Sequence, residues 1–395
     1  MRTVTLDERR ARLGIRHHLA QPVHSAVAVA SDMVALHSSD PTTVYLSVRA
    51  RLTSFQVADL ESALYEERSL ARVLGMRRTL WVVPTETIAD IHNSSTVKIA
   101  GSELKRLARM VEVAEVSDDG VNWYRQVSAK TLEAIRAQGE AVAAADLTKV
   151  VPELREQFAF YRSDGSIVAR VGASTRVLFA LASEGRVMRA RPRGSWISGQ
   201  YRWATTENWL GSMIPIVPRE LAQAELMRRW LHAFGPATET DIAWWTGWTK
   251  ADVRAALATV EAVAVETESG TAYLLADDLD PVSSPAPWVA LLPSLDPTTM
   301  GWKERGWYLG QHGTQVFDGN GNAGATIWSE GRIVGGWSQR RGGEVVYRLL
   351  EDVGSDATSA IEHEVETLQA WLGGTTVTAR FRAPLDKLLA GSAPK

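Results

Sequence analysis

The segment from residue 238 to residue 276, TETDIAWWTGWTKADVRAALATVEAVAVETESGTAYLLA, decides the fold. Thr238 and Thr249 are each followed three residues later by aspartate, which is the capping box that begins a helix. Residues 262–276 then form a predicted hairpin with Ser269 and Gly270 at its tip. Together with a periodic helix predicted at 219–234, these elements make three helices and a hairpin. That is the plan of a winged helix, a helix-turn-helix followed by a β wing.

The same order of elements occurs earlier in the chain. Apolar periodicity predicts helices at 131–138, 145–154 and 174–183. A basic ribbon, RVMRARPRGSWISGQYRWA at 186–204, follows them, with strand-like flanks around a Pro-Arg-Gly turn. Two copies in tandem favour a pair of winged helices over an isolated small domain.

The N-terminal region reads as mostly helical. Helices are predicted at 25–36, 42–52 and 57–68, and a strand rich in aromatic and β-branched residues at 78–83.

The C-terminal region follows a Pro-rich acidic linker at 276–287. Strands are predicted at 288–292, 306–309, 313–317, 325–328, 332–338, 344–350 and 375–381. A long helix is predicted at 355–372, so the region should form a small β-barrel or a curled sheet with one helix packed on it. DGNGNAG at 318–324 is predicted to be a turn, because a strand and not a helix follows its glycines.

Composition limits the function. The 395 residues are 45% hydrophobic and 23% charged, as in a globular protein of several domains. Neither a membrane-length apolar run nor a signal peptide is visible, which predicts a cytoplasmic protein. The chain has no cysteine, and its eight histidines lack metal-ligand spacing, so a metal site is not expected. The net charge of −3 argues against nucleic acid, but the ribbon is locally basic.

Four stretches resemble the AlkZ/YcaQ-like bacterial DNA glycosylases. They are MVALHSSDPTTVYLSVRARL at 33–52, VLGMRRTLWVVP at 73–84, FGPATETDIAWWTG at 234–247 and LLPSLDPTTMGWKER at 291–305. The resemblance implies an α+β protein with tandem winged helices in a C-shaped arrangement and a C-terminal small β-barrel. We place the domains at 1–115, 116–212, 213–280 and 286–395. The implied activity is excision of alkylated or crosslinked bases from double-stranded DNA by a monomer, without metal or cofactor.

The family's catalytic signature is Gln-x-Gln, and this sequence has His37-Ser38-Ser39 at those positions. A histidine with its ordinary pKa can orient a water molecule and also accept its proton. We therefore expect His37 to act as the base, Ser39 to hold the water or a phosphate oxygen, and Asp40 to polarise His37 or stabilise the sugar cation. Asp40 before Pro41 is also an ordinary helix start, which leaves capping as its alternative role.

DNA contacts are expected from the arginine-rich stretches. Arginines and lysine would bind phosphates and the aromatic residues would probe the duplex. The candidates are Arg77, Arg78, Trp81, Arg189, Arg191, Arg193, Trp196, Arg202 and Lys250.

Two rival functions stay open at this level. The chain could be a catalytically inactive winged-helix DNA-binding regulator or architectural protein, or it could hydrolyse a modified nucleoside. The enzyme hypothesis requires the His37 ring to be exposed at the floor of an arginine-rimmed groove. A ring sealed in the core would leave a DNA-holding scaffold.

Overall fold

The computed structural model describes residues 1–161 and 167–391, and its N-terminal region is built around an antiparallel sheet. The strand order in this sheet is β1-β3-β2, and β2 pairs with β3 from Leu70–Pro84 to Gly75–Thr79. The strand predicted at 78–83 is confirmed. The elements of this region are α1 (Leu6–Arg16), α2 (Ala26–Asp32), β1 (Leu36–His37), α3 (Pro41–Arg49), α4 (Val57–Glu61), β2 (Leu70–Gly75), β3 (Thr79–Pro84), α5 (Ile88–Ile91) and α6 (Val97–Val113).

The helix predicted at 25–36 is shorter than expected. It ends at Asp32, and Leu36 and His37 pair with Val82 and Trp81 of β3. Val34 has a φ of 64°, a left-handed conformation that a right-handed helix cannot continue. The chain therefore leaves the helix, and His37 lies on a strand instead of at a helix end.

The middle region has a core of its own. It consists of α7 (Gly120–Ala137), β4 (Val142–Ala143), α8 (Ala144–Val150), β5 (Gln157–Tyr161), β6 (Ile167–Gly172), α9 (Ala173–Ser183), β7 (Val187–Pro192), β8 (Tyr201–Thr205) and α10 (Thr206–Leu210). The predicted helices overlap α7, α8 and α9, and the basic ribbon forms the antiparallel pair β7–β8. The antiparallel pair of β5 and β6 has no counterpart among the predicted elements.

The third region has the predicted order of three helices and a hairpin. It contains α11 (Arg219–Phe234), α12 (Glu239–Thr246), α13 (Lys250–Thr259), β9 (Val263–Thr267) and β10 (Gly270–Leu274). Both capping boxes are confirmed, since the Thr238 and Thr249 hydroxyls each accept the backbone N–H of the aspartate three residues later.

The C-terminal region forms an antiparallel sheet in the order β11-β12-β13-β14, with a long helix packed against it. Its elements are β11 (Val289–Leu292), α14 (Gly306–Leu309), α15 (Gly313–Val316), β12 (Thr326–Ser329), β13 (Arg332–Gln339), β14 (Val345–Leu349), α16 (Gly354–Leu372) and α17 (Pro384–Leu389). These strands do not close into a barrel in the described residues.

Three of the strands predicted in this region are wrong. Residues 306–309 and 313–317 form the helical turns α14 and α15, and 375–381 has no regular structure. Trp307, Tyr308 and Leu309 are consecutive and all buried, which a helical turn between packed elements allows and a strand with one solvent face does not. The turn at 318–324 is confirmed, since one Asp318 carboxylate oxygen accepts the backbone N–H groups of Asn320 and Asn322 at 2.9 Å.

The cores explain where a cleft can form. One continuous core contains Leu36, Trp245 and Trp328, and so joins the N-terminal, third and C-terminal regions. The helices of the middle region pack on a second core that includes Leu107 and Val111 of α6, whereas Met188 and Ala190 of β7 belong to the first core. A groove can therefore open between the helices of the middle region and the N-terminal sheet, beside the strands β7 and β8 that join the two cores. Among the described helices, none has both the length and the apolar composition needed to cross a membrane.

A buried ion pair joins the N-terminal region to the C-terminal region. The guanidinium of Arg51, just after α3, donates to both carboxylate oxygens of Asp296 at 2.7 and 2.9 Å. Both side chains are fully buried, and Ser47 also donates to Asp296. Hydrogen bonds of this kind are needed to compensate two charges for their lost hydration.

Candidate active site and nucleic-acid cleft

A cleft of about 610 Å³ opens between the middle region and the sheet of the N-terminal region. The side chains that matter for its chemistry are Ser38, Ser39, Arg78, Phe179, Arg189, Arg193, Tyr201, Trp203 and Arg380. No Asp or Glu occurs among the described residues that line it. A concave surface with arginines and no acid attracts a polyanion.

The wall of the middle region is formed by β7 and β8. Arg189 lies opposite Trp203 in the register of the two strands, and its guanidinium carbon is 4.6 Å from the Trp203 ring centroid. Burial lowers the pKa of Arg189 to about 10, which leaves the side chain charged at neutral pH. Arg193 is exposed on the turn between the strands. Opposite them, Arg78 forms an ion pair with Glu103 at 2.7 Å.

Several predicted DNA contacts do not lie in the cleft. Arg191 forms ion pairs with Glu61 and Glu66 at 2.7 and 3.2 Å, so its charge is already neutralised. The Arg77 guanidinium is 4.1 Å from the Trp244 ring centroid, and Arg77 does not line the cleft. Arg202 and Lys250 are exposed but do not line the cleft.

Both aromatic candidates are core residues that do not line the cleft, which argues against their predicted role as DNA probes. Trp81 is 1% exposed and packs against His37 and Trp245. Trp196 is 9% exposed and packs between Tyr45 and Trp371, with ring centroids 5.1 and 5.7 Å away. The ribbon turns Trp196 inward because the junction with α3 and α16 offers an apolar surface. Phe179, Tyr201 and Trp203 are the aromatic side chains that line the cleft.

His37 is buried, and the prediction of an exposed imidazole is wrong. It is 5% exposed, its ring lies edge-on to Trp81 at 5.1 Å, and its Nδ1 has no hydrogen-bond partner in the described part of the chain. Burial and the nearby charge of Arg77 lower the pKa of His37 to about 3. Side chains alternate along a strand, and the next residue, Ser38, lines the cleft. A sealed, neutral ring is not available to accept a proton from water in the cleft.

Ser38 is held from behind by a buried arginine. Arg72 on β2 donates from Nε to the Ser38 hydroxyl oxygen at 3.0 Å and from Nη1 to the Tyr65 hydroxyl. Its guanidinium carbon is 4.9 Å from the ring centroid of Tyr201. Ser38 is itself only 1% exposed, so it forms the inner wall of the cleft, and Ser39 is the serine that a ligand can reach.

Both carboxylate oxygens of Asp40 accept hydrogen bonds that hold the fold together. One oxygen accepts from the backbone N–H and hydroxyl of Thr42 at 3.0 and 2.8 Å, which caps α3. The other accepts the backbone N–H of Arg380 at 2.7 Å. The predicted capping role of Asp40 is confirmed, and no hydrogen bond joins it to His37 within the described residues. Ser39 is partly exposed and lines the cleft.

Sequence reasoning missed Arg72 and Arg380. A single arginine in the otherwise apolar strand LARVLG is a signal that could have identified Arg72. Arg380 gave no local signal, because it lies 340 residues from Asp40 and meets it only in the folded protein. In the described part of the chain, no three His, Asp or Glu side chains lie close enough to hold a metal ion.

Comparisons with known proteins identify the family of the chain and a similar fold. The sequence model of the DNA glycosylase AlkZ-like family matches residues 30–371. The chain belongs to this family. A solved structure, the DNA glycosylase AlkZ of Streptomyces sahachiroi, is similar to the AlkZ-like chain with a TM-score of 0.73 and 18% identity. The match covers 95% of this chain and 99% of that chain, so it supports the fold. No curated protein matches the AlkZ-like chain.

Proposed function

We propose that the chain binds duplex DNA in the cleft and hydrolyses the N-glycosidic bond of a nucleobase that is already cationic, such as an N7-alkylated purine. The single observation that carries the proposal is the position of Ser38 and Ser39 at the base of an arginine-lined cleft without carboxylates. The family membership supports the class of reaction, and because His37 is buried, the proposal gives it no part in the chemistry. Tandem winged helices at 116–212 and 213–280, in a C-shaped monomer, would present this cleft to DNA.

The acid-free cleft restricts the chemistry. When a cationic base leaves, it takes the bonding electrons and becomes neutral, so it needs no proton from the protein. The positive charge moves to the sugar, where the neighbouring phosphates stabilise it. Water then attacks C1′ and loses a proton to solvent. The role left for the protein is to hold that water, and the partly exposed Ser39 hydroxyl is the group suited to it.

The substrate test compares two duplexes that differ in one base. We expect release of N7-methylguanine and no release of uracil, since a neutral base leaves as an anion and would need a proton donor. Ser39→Ala should slow the release by about tenfold, the worth of one hydrogen bond to the reacting water. Ser195→Ala, at an exposed serine of the 193–195 turn, is the matched control. Release of uracil at a similar rate would contradict the proposed chemistry.

The second candidate is a DNA-binding protein without catalysis. It is favoured by the buried His37 ring and the missing carboxylate, which leave no general base in the described part of the cleft. This candidate predicts that intact lesion-containing DNA binds and that no base is released from any duplex.

A further inference from the structure

The C-terminal segment crosses to the site and is fixed there by Asp40. Residues 373–383 have no helix or strand, yet the backbone N–H of Arg380 donates to the buried Asp40 carboxylate at 2.7 Å. The Arg380 side chain also donates from Nη1 to the backbone carbonyl of Ser39 at 3.1 Å. Asp40 therefore holds a residue from the far end of the chain beside the segment proposed to hold water.

The Arg380 side chain has capacity left for a ligand. It is exposed, it lines the cleft, and it forms no ion pair with a carboxylate in the described residues. One of its N–H groups is committed to Ser39, and a guanidinium has five. Across from it, a Cβ at position 199 would lie 2.9 Å from Nη2, so Gly199 gives the guanidinium room that any other residue would reduce.

We propose that Arg380 binds a backbone phosphate next to the target nucleotide and that Asp40 is its positioning residue. The inference rests on the proposed function insofar as DNA occupies the cleft. A guanidinium suits a phosphate because its planar N–H groups match two phosphate oxygens. The 3.1 Å contact with Ser39 sets the bound phosphate beside the sugar that faces the Ser39 hydroxyl. Asp40 contributes through Arg380 and has no contact with the reacting atoms.

The first experiment measures binding of the full chain to an intact, undamaged duplex as a function of salt. Arg380→Ala should reduce affinity at about 0.1 M salt roughly tenfold. The slope of log affinity against log salt should fall in magnitude by about 0.9, the value for one phosphate contact. Arg348→Ala is the matched control, since Arg348 is exposed on β14 and away from the cleft.

The second experiment locates the phosphate. Uncharged methylphosphonates are placed one at a time along the strand, and wild type should lose affinity sharply at one position. For Arg380→Ala, the methylphosphonate at that position should cause no further loss of affinity. For Arg380→Lys, it should still cause part of the loss, because lysine keeps the positive charge. Asp40→Ala should weaken binding about as much as Arg380→Ala, and the double variant no more than either. Melting temperatures of the variants separate this result from a loss of folding.

Each outcome decides the inference. The same methylphosphonate profile in wild type and Arg380→Ala, additive effects of the two substitutions, or no duplex binding by wild type would overturn it. DNA binding with the expected Arg380 effects but no base release would overturn the glycosylase proposal and support this one. Base release with an unchanged Arg380→Ala profile would do the reverse.

Discussion

Replacing His37 with leucine tests the conclusion that this residue belongs to the core. The buried ring has a pKa of about 3, lowered from 6.5 by burial and by Arg77. The unfolded chain therefore binds a proton at this site between pH 6.5 and pH 3 that the folded chain does not. The contribution of His37 to the free energy of unfolding is therefore complete above pH 6.5 and is lost as the pH falls towards 3.

The size of the effect follows from the two pKa values. Between pH 7 and pH 5, protonation of this one histidine in the unfolded state lowers the free energy of unfolding by about 2 kcal/mol. His37→Leu should remove that amount from the pH dependence of the free energy of unfolding. His17 and His92, whose pKa values are also lowered by burial, are present in both proteins and cancel in the comparison.

Urea unfolding of wild type and His37→Leu at pH 7 and pH 5, followed by tryptophan fluorescence, measures this difference. His363→Leu is the control, because His363 is exposed on α16. An unchanged pH dependence in His37→Leu would refute the reasoning. A second result would also refute it: base release by wild type that falls to half near pH 6.5 as the pH is lowered, with no such change in His37→Leu. Only an accessible His37 could produce that difference.

Three further predictions concern other parts of the chain. Trp196→Ala should destabilise the fold by about 3–5 kcal/mol, measured by denaturation, and leave the salt slope of DNA binding unchanged; a reduced slope without destabilisation would show a DNA contact instead. Arg193→Ala should weaken duplex binding in a fluorescence assay, whereas Arg191→Ala, whose charge is paired with Glu61, should not; equal losses would contradict the assignment. Arg51→Met should cost about 3–5 kcal/mol by leaving the Asp296 carboxylate unpaired in the core, and a neutral result in thermal unfolding would show that water reaches it.

Local sequence rules predicted those elements whose signals lie within a few residues. The capping boxes at Thr238 and Thr249 fix two helix starts, and Asp40 with Pro41 fixes a third. The turn at 318–324 and the strand at 79–84 were predictable for the same reason. Residues 306–309 were not, because their aromatic content resembles a strand, and only their burial against residues distant from them in the sequence, such as Trp328, makes a helical turn the better solution.

The candidate site divides in the same way. The sequence by itself determined that a polar segment, His37 to Asp40, follows a short helix and caps the next one, and that the ribbon at 186–204 is basic. Only the tertiary structure decided which of those side chains meet a ligand. The pairing of β1 with β3 places the His37 ring against Trp81 in the core, whereas Ser38, although only 1% exposed, and the partly exposed Ser39 line the cleft. Arg72 and Arg380 reach the same place from other parts of the chain, through contacts that no local pattern encodes.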